Sequence, residues 1–257
     1  MFSAIIWGLI QGLTEFLPVS SSGHLVIIPA FMSKLGVEVA EPSLAVSAVL
    51  HLGTLVAVLY YFRDDVAKVL RFNRDPEGRK ILTLVGIGTI PVLIGYPLRD
   101  TLDGFQDTVS NVGWALIATS VILVIGQKLA TGSRTLPEGR IPDAVVVGLS
   151  QAVALIPGIS RSGTTISAAN GRGFDPAEAA RFSFLLGIPA IAGGGLSQLI
   201  DLAGTDSLGW DLLVGFLVAA VSGYLAIRWF LSAIKRIGLL PFAVYCLVVG
   251  LLTVIVF

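Results

Sequence analysis

The stretch "QGLTEFLPVSSSGHL", Gln11 to Leu25, sets a carboxylate, three consecutive serines and a histidine in the middle of an apolar N-terminal segment. The halves on either side of Pro18 are each too short to cross a bilayer, which needs roughly 20 apolar residues in one helix. A helix that enters the membrane, breaks and returns to the same side fits the pattern. Irregular backbone is tolerated at membrane depth when it is buried in protein or lines a wet cavity. This first segment runs from Met1 to about Gly36, and a second of the same kind, again broken by Pro, Gly and Ser, runs from Asp143 to about Gly171.

The two segments are related. A constant shift of 140 residues superposes Gly8, Leu9 and Gln11 on Gly148, Leu149 and Gln151, and Ser20, Ser22 and Gly23 on Ser160, Ser162 and Gly163. Pro18 and Pro157 fall one place apart under the same shift.

Composition gives the solvent. Of 257 residues, 54% are hydrophobic and 13% charged, about half the usual charged fraction of a soluble domain. Six apolar runs are read as spans: Ser43 to Phe62, Ile81 to Leu98, Val112 to Ala130, Ala177 to Leu202, Leu212 to Leu231 and Leu239 to Phe257. The expected fold is an all-α polytopic membrane protein with six transmembrane helices and two re-entrant helix-loop-helix segments. Three spans separate the re-entrant segments, and an odd number inverts the second copy. Residues 1–130 and 143–257 are thus expected to form one membrane domain built as an inverted repeat, with the broken helices meeting near the midplane and forming a site there.

Lys and Arg counts alternate along the loops. Arg63 to Lys80 carries six, Arg99 to Ser110 one, Lys128 to Pro142 three, Ala203 to Trp210 none and Arg228 to Ile237 three. The positive-inside tendency makes the first, third and fifth cytoplasmic and places both termini outside a plasma membrane. The N-terminal stretch lacks a basic region before its apolar run, so it is not expected to be a cleaved signal peptide. Zero net charge argues against a nucleic-acid partner, which needs a basic face. The 29 glycines, for example "AGGGL" at Ala192 to Leu196, permit close packing of helices or of two subunits in a homodimer.

Ionisable groups inside a membrane default to a functional reading. Gln11 and Glu15 stand four apart on one helix face, followed by Ser20, Ser21, Ser22 and His24. The second break, "PGISRSGTT" (Pro157 to Thr165), offers Ser160, Arg161, Ser162, Thr164 and Thr165. Arginine's planar fork suits phosphate oxygens, and Gly-rich tips opening into helices present backbone N–H groups to anions. Together they read as a phosphate site with acid-base or nucleophilic equipment. The structural alternatives are a helix cap for the serines, interhelical packing for Gln11 and a plain Arg161–Glu15 bridge. His51, in "LHLGTL", reads as a hydrogen-bonded packing residue, Cys246 as a small core residue, and Asp175, Glu178 and Arg181 as a helix start. Pro91, Pro189 and Pro241 read as span kinks.

"QGLTEFLPVSSSGH" (Gln11 to His24), "PGISRSGTT" (Pro157 to Thr165) and "HLGTL" (His51 to Leu55) resemble the undecaprenyl-diphosphate phosphatases, the bacitracin-resistance protein family. The likeness extends to the closing "IKRIGLLPFAVY" (Ile234 to Tyr245). It implies hydrolysis of a C55 polyprenyl diphosphate to the monophosphate and inorganic phosphate, which recycles the lipid carrier of cell-wall glycans. It also implies a divalent cation, magnesium or calcium. Carried onto this chain, the resemblance makes Glu15 and His24 the acid-base or metal-binding pair and Ser21 the nucleophile, beside Ser20 and Ser22. Arg161, Ser160, Ser162 and Thr165 would hold the diphosphate. Gln11 replaces the first glutamate of the family's Glu/Gln-x-x-x-Glu pattern, which leaves Glu15 the one acidic side chain of that motif and weakens any two-carboxylate metal scheme. Two rival readings are a polyprenyl-phosphate flippase, as inverted repeats in general favour, and a type-2 phosphatidic-acid phosphatase. The latter needs a second histidine where this chain has Ser167.

Overall fold

Helix after helix starts where a short polar side chain or a proline meets an apolar run, and that punctuation organises the computed structural model, which describes residues 2–37, 42–98, 101–102, 104–201 and 210–257. Arg99, Leu202 and residues 203–209 of the expected outer loops lie outside the described residues. The helices are α1 (Phe2–Phe16), α2 (Ser21–Lys34), α3 (Leu44–Tyr61), α4 (Arg63–Leu70), α5 (Pro76–Gly95), α6 (Val109–Lys128), α7 (Ile141–Val153), α8 (Arg161–Gly171), α9 (Pro176–Asp201), α10 (Trp210–Ile237) and α11 (Leu240–Val256). No strand occurs among the described residues, and the one extended contact there is an isolated bridge between Arg134 and Phe174.

Ser43 caps α3 by accepting from the Val46 N–H (3.4 Å), and Asp75 caps α5 by accepting from the Gly78 N–H (3.0 Å) just before Pro76. Both satisfy backbone donors that a helix start leaves unpaired. Pro91 and Pro189 lie inside α5 and α9, as expected. Pro241 does not kink a span. It sits in the first turn of α11, where its missing N–H removes a donor that has no helical partner anyway. Pro29, inside α2, is a further interior proline.

The chain is a multi-pass helical membrane protein. Among the described residues four stretches are long and apolar enough to cross a bilayer: Pro76–Leu98, Val109–Lys128, Pro176–Leu196 and Trp210–Ile237. A fifth would be α3 together with α4, but the two are bent by 80°. The sixth expected span is α11, which at 17 residues falls just short. α3 and α11 match the expected spans Ser43 to Phe62 and Leu239 to Phe257 to within one residue at each end, and the charged sequence "RDD" after α3, read as loop, folds into α4.

α1 packs on α10 and α7 packs on α5, while α3 meets α9 and α6 meets α11. Small residues let the first two pairs approach closely. A Cβ at Gly8 would fall 2.7 Å from the Gly215 carbonyl oxygen, and one at Gly148 would fall 2.5 Å from that of Gly88. Without a hydrophobic drive between helices in lipid, such backbone approach supplies van der Waals contact. Phe16, Phe62, Phe184 and Phe230 form the aromatic centre, with Phe16 edge-on to Phe184 at 5.5 Å.

Charges gather away from that centre. Arg134 and Arg172 both bind the buried Asp143 at 2.7 Å. Arg181 joins Asp65 of α4, Glu77 of α5 and Glu178, and Glu178 also accepts from the Leu136 N–H at 2.8 Å. Asp175, Glu178 and Arg181 thus hold the start of α9 in place, as read from the sequence. Cys246 is a buried core residue whose thiol faces the Pro18 carbonyl at 3.7 Å.

Candidate active site

Each broken segment turns on a special backbone position. In the first, Ser20 adopts φ +69°, the one non-glycine residue with positive φ among those described, and its Oγ accepts from the Gly23 N–H at 3.3 Å to start α2. In the second, Gly158 adopts φ +93°. A Cβ there would fall 2.7 Å from that of Ala115, so glycine is required on both counts. Thr119 of α6 pins this turn, donating to the Gly158 carbonyl (3.2 Å) and accepting from the Ser160 N–H (3.1 Å). Ser160 Oγ then accepts from the Gly163 N–H at 3.1 Å and starts α8. Ser162 Oγ donates to the Leu17 carbonyl (3.1 Å) and ties one break to the other.

Glu15 sits between the two tips. Arg161 Nη2 donates to its Oε1 at 3.1 Å, while Gln11 Nε2 and Ser21 Oγ donate to its Oε2 at 2.9 and 2.7 Å. The second guanidinium nitrogen, Nη1, donates to the Ser183 carbonyl of α9 at 3.3 Å. Breaking a buried pair of this kind leaves an uncompensated charge, at a typical loss of about 3–5 kcal/mol.

A cavity of about 280 Å³ opens above this cluster. Its polar lining comes from Thr14, Glu15, Ser20, Ser21 and Ser22 of the first break, Ser160, Arg161 and Ser162 of the second, and His51 and Gln106 from elsewhere. The N-termini of α2 and α8 both reach it. Helix N-termini carry partial positive charge and unpaired N–H groups, so two of them beside a guanidinium make an anion site.

Most of the residues expected from the sequence come together here, with three exceptions. Gln11 is buried behind Glu15 and does not line the cavity. Thr165 is also buried, its Oγ1 shared with Ser183 Oγ at 2.6 Å. The expected Glu15–His24 pair does not form. His24 Nδ1 donates to the Ser20 carbonyl (2.7 Å) and Nε2 meets the Tyr245 hydroxyl (2.6 Å), with the two rings stacked. Both ring nitrogens are therefore committed to holding the turn against α11. His51 makes the hydrogen bond read from the sequence, from Nδ1 to the Ser47 carbonyl, and also stands on the cavity wall.

Four contributors were not read from the sequence, Gln106 of the cavity wall among them. Ser183, and Thr119 beside Ser120, are polar residues in apolar spans, and that polarity was the available signal. Gly187 lies under the Arg161 guanidinium, where a Cβ would fall 2.1 Å from Nη1. Nothing local marks it.

A family model described as "Bacitracin resistance protein BacA" matches residues 4–252. The chain belongs to the BacA family. Within the family it is similar to the undecaprenyl-diphosphatase of Halothermothrix orenii, 42% identical over 99% of this chain and 97% of that protein. The undecaprenyl-diphosphatase of Methanobrevibacter smithii is 40% identical over 98% and 96% of the two chains, and that of Methanosphaera stadtmanae 37% over 99% and 97%.

The donor set bears on the divalent cation that the resemblance implies. Among the described residues Glu15 is the one carboxylate on the cavity wall, and no group of three or more His, Cys, Asp or Glu side chains could hold a metal. A cage made of protein groups alone does not fit this BacA-family site. A cation bound through one carboxylate, neighbouring hydroxyls and substrate phosphate oxygens does, as magnesium commonly is.

Proposed function

We propose that this protein hydrolyses undecaprenyl diphosphate, or a polyprenyl diphosphate of similar length, to the monophosphate and inorganic phosphate, returning the lipid carrier to cell-wall glycan synthesis. The observation that carries the proposal is the meeting of Glu15, Ser21 and Arg161 from two separate chain breaks on one anion-seeking cavity. The names of the relatives, borne over nearly the full chain, point to the same reaction. They are named for hydrolysis rather than transport, so the flippase alternative is set aside.

Ser21 Oγ is the nucleophile in this reading. Its hydrogen bond to Glu15 Oε2 supplies the base that a serine needs within reach. Gln11, donating to the same oxygen, holds the carboxylate toward the serine. Arg161, with the N–H groups at the starts of α2 and α8, takes the charge that develops on the phosphoryl oxygens, the main demand of a loose phosphoryl-transfer transition state. Ser20, Ser22, Ser160 and Ser162 line the same space and bind phosphate oxygens. Thr165 acts from behind, through Ser183. Glu15 and the adjacent hydroxyls would hold the divalent cation, magnesium or calcium, which supplies Lewis-acid charge when bound.

The same reading extends to architecture. Six spans and two re-entrant segments form an inverted repeat, 1–130 and 143–257, with α1, α2, α3, α5 and α6 corresponding to α7, α8, α9, α10 and α11. The pairing of α1 with α10 and of α7 with α5 supports this, since exchanging the halves converts one contact into the other. So do the matching caps, with Ser20 on Gly23 and Ser160 on Gly163, and a Ser–Ser separation of 3.3 Å in each. Both termini then lie outside a plasma membrane. Gln106, from the loop poor in Lys and Arg, lines the cavity and supports an opening toward the outer face.

The test is phosphate release from a long-chain prenyl diphosphate by detergent-purified protein, with and without a chelator, for the native chain and Glu15→Gln. Release that depends on metal and is lost in Glu15→Gln is expected. No release by well-folded native protein across several prenyl lengths and cations would overturn the reading.

A further inference from the structure

His51 is the unassigned reactive group of the cavity. It stands on α3, a helix distinct from the two broken segments, yet it lines the same cavity as Glu15, Ser21 and Arg161. Its Nδ1 lies 2.8 Å from the Ser47 carbonyl oxygen. A carbonyl can only accept, so Nδ1 carries the proton and the tautomer is set. Nε2 is left with a lone pair in the neutral ring and with an N–H in the charged one. It has no hydrogen-bond partner among the described residues. α9 packs beside it, a Cβ at Gly195 falling 3.7 Å from that of His51, and the side chain lines the cavity wall.

The contrast with His24 gives the inference its weight. The chain has two histidines, and His24 spends both nitrogens on the Ser20 carbonyl and the Tyr245 hydroxyl and does not line the cavity. His51 has one nitrogen held and the other available, the arrangement a proton-transfer group requires.

We propose that His51 is a catalytic residue of this site, its Nε2 giving a proton to the bridging oxygen of the diphosphate and taking one back from the water that frees the phosphate. The inference rests on the phosphatase reading. In the first half, Ser21 Oγ bonds to the terminal phosphorus and passes its proton to Glu15, the P–O bond to the bridging oxygen breaks, and that oxygen takes the proton from His51 Nε2 as the prenyl monophosphate leaves. In the second half, water attacks the phosphoserine and gives a proton to Nε2. The Ser21–phosphorus bond breaks, and Ser21 recovers its proton from Glu15. One diphosphate and one water give a monophosphate and one phosphate, and every group returns to its starting state.

The experiment measures phosphate release, kcat and KM separately, and the unfolding midpoint, for the native chain, His51→Ala and His51→Gln. The glutamine variant can keep an N–H for the Ser47 carbonyl and guards against a folding defect. Loss of a general acid-base group predicts a fall in kcat of about 100-fold with KM changed by no more than about threefold. The unfolding midpoint stays at the native value, and added imidazole restores His51→Ala by at least about tenfold. A kcat for both variants within about threefold of native, or a loss that imidazole leaves untouched, overturns the assignment. Native protein that releases phosphate while the His51 variants match it sinks this inference alone, whereas silent native protein sinks the phosphatase reading beneath it.

Discussion

The two chain breaks share a backbone device and differ in what they carry on it. In each, a serine caps the returning helix and a second serine stands two residues on, 3.3 Å from the first. Four residues after its glutamine, however, the first segment has Glu15 and the second has Leu155. One residue after its capping serine, the first has Ser21 and the second Arg161. Gln11 donates to a carboxylate, whereas Gln151, at the matching place, is buried with both side-chain polar atoms unpartnered among the described residues. On the proposed reading a duplicated scaffold supplies two anion-facing helix starts, and the placing of a carboxylate on one and a guanidinium on the other supplies the chemistry. Had both copies kept a carboxylate, two like charges would share the cavity with an incoming diphosphate.

That division predicts a ranked set of effects. Replacing the cationic half by a point charge, Arg161→Lys, removes the fork that spans Glu15 and Ser183, and phosphate release is expected to fall by at least about 100-fold. Gly187→Ala, which displaces the same guanidinium from beneath, is expected to follow it in direction with a smaller loss. Normal turnover in both variants would show that the second break is scaffold only. The two glutamines come next. Gln11→Leu strips a donor from Glu15 and is expected to slow release about tenfold at unchanged fold. Gln151→Leu removes two unpartnered polar atoms and is expected to raise the unfolding free energy by about 1 kcal/mol, with activity retained. Equal effects at the two positions would erase the functional difference between the copies. The smallest effect concerns the caps. Ser20→Gly loses a cap but relieves a positive φ, so its unfolding midpoint is expected at or above native, whereas Ser160→Gly, from φ −73°, is expected to lose a few tenths of a kcal/mol. The reverse order would remove the strain argument at Ser20.

Much of this molecule was legible before its structure. Apolar runs marked the helices, and Pro, Gly and Ser inside two of them marked the breaks, because a bilayer leaves few other places for such residues. Glu15, Ser21 and Arg161 stood out as polar groups where polarity is expensive. Less was available for residues whose role depends on a distant helix. His24 follows Ser21 closely in sequence, and nothing nearby announces that Tyr245 occupies its outer nitrogen. His51 has leucine on both sides and reads as core; the packing of α3 against α9, far along the chain, turns it into cavity wall. The spans expected at α3 and α11 match the helices to within one residue at each end, whereas the 80° turn at Phe62 was not legible. Hydropathy reports how apolar a run is, and Arg181, the ion-pair partner of Asp65 in α4, lies far along the chain.

That turn also bears on where the protein rides in the bilayer. On the proposed arrangement, in which α3 crosses the membrane, a helix set at 80° to it runs close to the membrane plane. α4 then brings Arg63 and Lys68 to the level of the lipid headgroups, and Arg71 follows directly. α4 carries two basic and two acidic side chains, and its salt bridges to α5 and α9 fix it to the rest of the bundle. On that arrangement α4 acts as a float at the surface opposite the cavity mouth, and the height at which a tethered diphosphate must arrive follows from it.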